Sequence, residues 1–325
     1  MKARIGGKIV VWLLLAALGF GAVAVLLASR PPETARVIAN APTLTAPDHG
    51  LRVFHLGHSL VGRDMPAMVT QLAHAAGFGA HRYESQLGWG TSLRAHWYPD
   101  AEIAGFEREN DHAAFRPALE AVTSGDYDAI ILTEMVELRD AIRWHDSPRY
   151  LSQWVEAART ARPDVRIYLY KTWHDLQHPE GWLDRLENDP VALWQQQVLA
   201  PTWANPDLGP VHVVPATQVL AELTRALRDG PGAEGLRQPA DLFRRNADGS
   251  LDTIHLNDQG HYLIALTHVA TLYHRPVLGL PHALLRADGM PADPPGAEAA
   301  ALMQRIVDAV MRTTPNTGLP VEPPV

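Results

Sequence analysis

The chain has 325 residues, 46% hydrophobic and 20% charged, with a formal net charge of −8 and no cysteine. This composition allows a sizeable core and excludes a generally disordered polymer; the acidic balance, with no long Lys/Arg run, excludes nucleic acid as a partner. Without a thiol there is no disulfide framework, thiolate metal site, cysteine nucleophile or lipid attachment through an N-terminal cysteine.

At the N-terminus, Lys2, Arg4 and Lys8 precede the uncharged run IVVWLLLAALGFGAVAVLLA over residues 9–28. A helix of that length spans about 30 Å, enough to cross a bilayer core. We expect residues 1–30 to form a single membrane anchor. The positive flank keeps that end in the cytoplasm and places the rest outside, in the periplasm. Ala22-Val23-Ala24 also reads as a small-residue cleavage motif, so secretion after signal cleavage is the alternative. Residues 31–50 carry four prolines and no periodicity, and read as a tether.

From residue 51 onward, short apolar runs at 51–56, 82–87, 129–132, 165–170 and 211–214 alternate with helical spacing at 66–76, 116–122, 150–161, 191–199 and 218–227. That alternation predicts an α/β fold with a mostly parallel sheet and helices on both faces. Asn257 is placed to cap a helix over 258–273, with Asp258 in its first turn. A last amphipathic helix is expected over 297–312. The domain is therefore 51–313, and residues 314–325 read as a flexible tail.

In an open parallel sheet, ligands bind beyond the carboxyl ends of the strands. Ser59 follows the first apolar run there, in His55-Leu56-Gly57-His58-Ser59-Leu60. Near the other end, Asp252-Thr253-Ile254-His255 offers an imidazole with a carboxylate three residues before it, presented on one loop. A serine needs a base to take its proton, and the base needs a group that fixes its tautomer. His58, next to Ser59, and Trp173 and His174, which follow the fourth run, are candidate pocket residues, with core packing the commoner role for Trp173 and His174. Eight of the nine tryptophans lie between residues 89 and 203, where some could stack on sugar rings. No His-Glu-x-x-His or comparable ligand set stands among the 16 histidines, so no metal and no cofactor are expected.

These blocks resemble the SGNH (GDSL-like) hydrolase superfamily over roughly residues 51–275. Gly57-His58-Ser59-Leu60 is similar to its first block, with His58 where the family commonly has Asp or Asn, and Asp252-x-x-His255 is similar to its last. The resemblance implies a flavodoxin-like three-layer α/β/α sandwich with a five-stranded sheet, and a Ser59-His255-Asp252 triad. It also implies an oxyanion hole made by the Ser59 backbone with a second-block glycine. Gly90, in Gly-Thr-Ser-Leu, is favoured for that glycine, with Gly88 second. The family's third-block Asn is missing: Thr133 and Glu134 stand there. Thr133 could donate its hydroxyl, whereas an ionised Glu134 would repel an oxyanion unless it turned away to orient a neighbour such as His58.

The expected function is that of a serine esterase acting on an O-acetyl or other short acyl ester of a carbohydrate or envelope component, through an acyl-serine. An acyltransferase with the same triad, or a non-catalytic carbohydrate-binding or envelope-assembly module, are the alternatives.

Overall fold

The computed structural model describes residues 41–321. The expected anchor and residues 31–40 of the tether lie outside the described residues. Among the described residues, no helix is long and apolar enough to cross a membrane.

In chain order the elements are β1 (Arg52–His58), α1 (Asp64–Ala75), β2 (Arg82–Gly88), the short helices α2 (Leu93–Trp97) and α3 (Phe106–Asn110), α4 (Ala118–Thr123) and β3 (Ala129–Thr133). There follow α5 (Leu138–His145), α6 (Ser147–Ala161), β4 (Arg166–Tyr170) and α7 (Trp182–Asp189). Helix α7 runs on without a break into a π-helical stretch, Pro190–Leu199, and a final turn α8 (Ala200–Trp203). Pro190 has no N–H to give, and a widened turn accommodates its ring. The chain ends with β5 (His212–Val214), α9 (Ala216–Asp229), β6 (Phe243–Arg245), β7 (Leu251–Leu256), α10 (Asp258–Tyr273) and α11 (Ala297–Thr313).

Five strands form one parallel sheet in the order β2-β1-β3-β4-β5. Strand residues alternate between two cores: in β3, Ala129 and Ile131 face one and Ile130 and Leu132 the other. Both faces are covered, which is why β3 reads as a continuous apolar run; the edge strand β2 carries Glu84, Ser85 and Gln86. The first core is completed by α1, α9, α10 and α11 through Met65, Val219, Leu263 and Met303. The second is completed by α2, α5 and α6 through Leu93, Leu138 and Trp154. Helix α10 is buried on all sides from Gly260 to Tyr273, and Asn257 caps it by accepting the Gly260 N–H at 3.0 Å.

The chain runs from β1 outward to β2 and then crosses back to β3 on the other side of β1. The strand order therefore reverses between β1 and β3, and a crevice opens beyond their carboxyl ends. Ser59 follows β1 at that point.

The expected elements are present with ends shifted by a few residues, and two expectations need correction. Residues 314–321 are not a loose tail. Thr317 is fully buried, the Val213 N–H donates to the Asn316 carbonyl at 2.8 Å, and the Leu44 N–H donates to the Gly318 carbonyl at 2.7 Å. Hence the described end of the tether, 41–50, is docked as well, with Leu44 against the core. At the opposite edge of the sheet, Ser85 of β2 donates its N–H to the Ala114 carbonyl and accepts the Arg116 N–H. The second correction is the β6–β7 hairpin, antiparallel with Phe243 opposite Leu256, where only a loop was expected.

Candidate active site

The turn that carries the nucleophile candidate is tight. His58 O accepts the N–H groups of Val61 and Gly62 at 2.9 and 3.2 Å. The His58 ring donates from Nε2 to the Glu134 carbonyl at 2.9 Å and accepts the Leu60 N–H at Nδ1, so it ties the turn after β1 to the end of β3. Burial pushes His58 down to about 4, against the carbonyl hydrogen bond, and the ring is neutral. A second buried ring, His96, donates from Nε2 to the Gly57 carbonyl at 2.8 Å and is held at Nδ1 by Gln86. Strand β1 is thus pinned on both sides of its last turn.

Asp252 and His255 lie on β7. The hairpin turn uses Asp248-Gly249, with Gly249 at φ +82°, a conformation that glycine adopts without strain. Asp252 Oδ1 accepts the N–H groups of Ile254 and His255, each at 3.0 Å. Its Oδ2 accepts His255 Nδ1–H at 2.8 Å. His255 Nε2 then faces Ser59 Oγ at 3.0 Å and accepts the hydroxyl proton. Burial alone would raise the Asp252 carboxyl, but the two N–H groups and the imidazole outweigh it and hold it below the usual carboxylate range. The charge therefore stays behind the ring, which carries its proton on Nδ1.

With this geometry in hand, the chain can be set beside known proteins. No family model matches it, and no curated protein matches it in sequence. Among solved structures it is similar to a carbohydrate esterase family 3 from Talaromyces cellulolyticus, at 17% identity over 69% of this chain and 97% of that one, with a TM-score of 0.36. It is similar also to an acetyl esterase mutant with acetate ion, at 17% identity over 69% and 97%, TM-score 0.35. A gut microbial diltiazem-metabolizing enzyme matches at 12% identity over 71% of this chain and 48% of that one, TM-score 0.37. The role of each residue in this chain rests on the distances above.

Ser59 and His255 open into a cleft of about 820 Å³, lined also by His58, Gly90, Trp89, Val136, Ile254 and four arginines. Gly90 is exposed at its rim. Gly88 is buried at the end of β2, where a Cβ would meet Ile103 and Thr91 at 2.2 and 2.3 Å, so it serves packing and does not face the cleft. A larger cavity of about 1100 Å³ lies beyond Arg108, lined by Tyr98, Ile103, Phe106 and Phe115. It holds no serine or lysine, and its histidine, His96, is already engaged; Ser59 and His255 line the smaller cleft.

Besides Gly88, four expected site residues lie elsewhere. Thr133 is fully buried beside Gly57, and its hydroxyl has no partner; it does not line the cleft. Glu134 is buried too, with Oε1 accepting the Met135 and Leu93 N–H groups at 2.8 and 3.2 Å, and its contact with His58 is made by its carbonyl rather than its carboxyl. Trp173 is no pocket wall: its indole N–H donates to the Ile254 carbonyl at 2.8 Å and supports the strand bearing His255. His174 packs on Trp182 away from the cleft. A Thr253 hydroxyl bond to Asp175 and the Leu176 N–H bond to the Thr253 carbonyl complete the support of β7.

Burial pushes the Glu134 carboxyl up to about 7, against its hydrogen bonds. A carboxyl raised on folding binds its proton more tightly when folded, so its cost grows as pH rises from 4.5 through 7. Glu134→Gln is expected to gain about 2 kcal/mol on wild type between about pH 5.5 and about pH 8. Urea unfolding at the two pH values measures it, and parallel curves would refute it.

The sequence reading missed Trp89 and the arginines of the cleft. Trp89 is 47% exposed, its indole N–H donating to Glu109 Oε1 at 2.8 Å. Its ring lies on the backbone of Gly105, where a Cβ would sit 2.3 Å from it and φ is +68°; glycine is required there on both counts. No short-range motif marks these residues. Arg244 becomes visible only once Asp248-Gly249 is read as a hairpin turn that sets β6 against β7.

Asp64, Asp258 and His261 bring ligand atoms within 4.8 Å of one another. Arg286 already binds Asp258 bidentately, Nε–H to Oδ1 at 3.1 Å and Nη2–H to Oδ2 at 2.5 Å, so a cation holds that position.

Proposed function

We propose that this protein is a serine esterase that removes a short acyl group, O-acetyl foremost, from a carbohydrate or envelope component. One observation carries the reading: Ser59 Oγ, His255 Nε2 and Asp252 Oδ2 form an unbroken hydrogen-bonded chain at 3.0 and 2.8 Å on the wall of an open cleft. A binding module has no physical need of a serine held against a base in a fixed tautomer. Ser59 attacks the ester carbonyl, and His255 takes its proton and returns it to the leaving alcohol. Asp252 stabilises the imidazolium in between. Backbone N–H groups of Ser59 and Gly90 receive the oxyanion, since neither Thr133 nor Glu134 reaches the cleft. Water, activated by His255, then releases the acid. The exposed face of Trp89 at the cleft suits the apolar face of a sugar ring.

The run over residues 9–28 and its basic flank support anchoring of the enzyme on the outer side of the cytoplasmic membrane. The test is covalent: a fluorophosphonate probe should add once to the purified protein, with the adduct mapped to Ser59 by peptide mass, and 4-nitrophenyl acetate should be turned over. Labelling that persists in a folded Ser59→Ala variant, or no turnover of any ester, would overturn the proposal.

A further inference from the structure

Four guanidinium groups line the Ser59 cleft: Arg63, Arg108, Arg244 and Arg286. Arg286 is bound by Asp258, and Asp64 and Asp288 add their charge around it. The other three differ. Among the described residues, no carboxylate lies within ion-pair distance of Arg63, Arg108 or Arg244. Elsewhere on this acidic chain, Arg116, Arg139, Arg185 and Arg225 each hold carboxylates. Among the described residues, Arg82, Arg94 and Arg245 lack a carboxylate partner too; what sets Arg63, Arg108 and Arg244 apart is that they line the cleft that holds Ser59.

They come from three walls. Arg63 stands at the entry to α1, four residues after Ser59. Arg244 lies on β6, its Nε–H donating to the Leu256 carbonyl at 2.8 Å, which fixes its stem on the hairpin that carries His255. Arg108 lies on α3, its guanidinium carbon 5.9 Å from the Trp89 ring centroid. The carboxylates lining the same cleft are engaged in backbone or indole hydrogen bonds: Asp64 with the Ala287 N–H, Glu109 with Trp89, and Asp288 with the Met290 N–H. Those bonds leave the three carboxylates charged, so the cleft is mixed in sign; what Arg63, Arg108 and Arg244 add is a set of forked donors beside an aromatic face, the donor type that matches a carboxylate.

We infer that the ester acted on belongs to an acidic glycan, whose carboxylate is held by Arg63, Arg108 and Arg244 while Trp89 supports the ring. The ester in this statement rests on the esterase reading above; the carboxylate does not. Calorimetry of the full chain with unesterified oligogalacturonate needs no turnover and tests the carboxylate separately. Binding is expected at about 20 mM salt, weakening about tenfold or more at about 500 mM. It should weaken about tenfold or more in the combined Arg63→Gln, Arg108→Gln, Arg244→Gln variant. In the same variant, the ratio of kcat/KM for O-acetylated polygalacturonate over O-acetylated xylan should fall by a similar factor. Binding without turnover would sink the esterase reading and keep the carboxylate site. A wild-type protein that binds oligogalacturonate no better than neutral xylo-oligosaccharide would overturn the inference, whatever its esterase activity.

Discussion

Replacing Asp252 by Asn is expected to lower kcat about 10⁴-fold while leaving the protein folded. The hydrogen bonds dictate why. Asp252 Oδ1 already accepts two backbone N–H groups, from Ile254 and His255. In the Asp252→Asn variant that position must remain the amide oxygen, which places the amide N–H₂ where Oδ2 now meets His255 Nδ1 at 2.8 Å. A donor facing Nδ1 forces the ring proton onto Nε2, and the nitrogen that should accept the Ser59 proton becomes a donor itself. The geometry survives and the tautomer is wrong. Steady-state kinetics on 4-nitrophenyl acetate, with circular dichroism to verify folding, measures the effect; a loss of only a few fold would mean that Asp252 does not set the tautomer.

The second large effect is acid unfolding. His58, His96 and His268 are fully buried, and burial pushes each from 6.5 down to about 4. Burial pushes His261 to about 3 and His55 well below its ordinary value. A group whose folded value is depressed contributes stability above its unfolded value, and that contribution is lost as pH falls. Near pH 4.5 the first three alone cost about 2.5 kcal/mol each, about 8 kcal/mol together. Glu134 works in the opposite sense and returns about 3 kcal/mol over the same range. With His55 and His261 added, the loss reaches the size of a typical domain's whole stability. Cooperative unfolding is expected with a midpoint between about pH 5 and about pH 4, accompanied by uptake of several protons. Tryptophan fluorescence against pH follows it, and a chain still folded at about pH 3.5 would contradict it.

The sheet was legible in the sequence because its central strands are covered on both faces, so β3 appears as an unbroken apolar run and the interior of β1 is broken only by His55, whereas the edge strand β2 carries Glu84, Ser85 and Gln86. Helix α10 was legible from Asn257 and the long apolar stretch after it. The short helices α2, α3, α5 and α7 were not: a helix of one or two turns has too few residues to establish a period, and its position is set by packing. Ser59, His255 and Asp252 could be picked out because short motifs mark them. The oxyanion side could not be settled, because sequence position at a strand end does not reveal which way a side chain turns. Thr133 and Glu134 stand at the end of the right strand and are buried. Arg63, Arg108 and Arg244 were invisible for a related reason: they come together only through the crossover from β1 to β3 and the β6–β7 hairpin.

The irregular segments along the two rims of the sheet have a further consequence. Strand β5 has part of its outer ladder occupied by Asn316 of the docked tail, and β2 has part of its own occupied by residues 114–116. An uncovered rim of a parallel sheet is a template on which a second molecule can add a strand. Here both templates are interrupted by the chain's own loops. A second molecule therefore meets only interrupted stretches of edge at either rim.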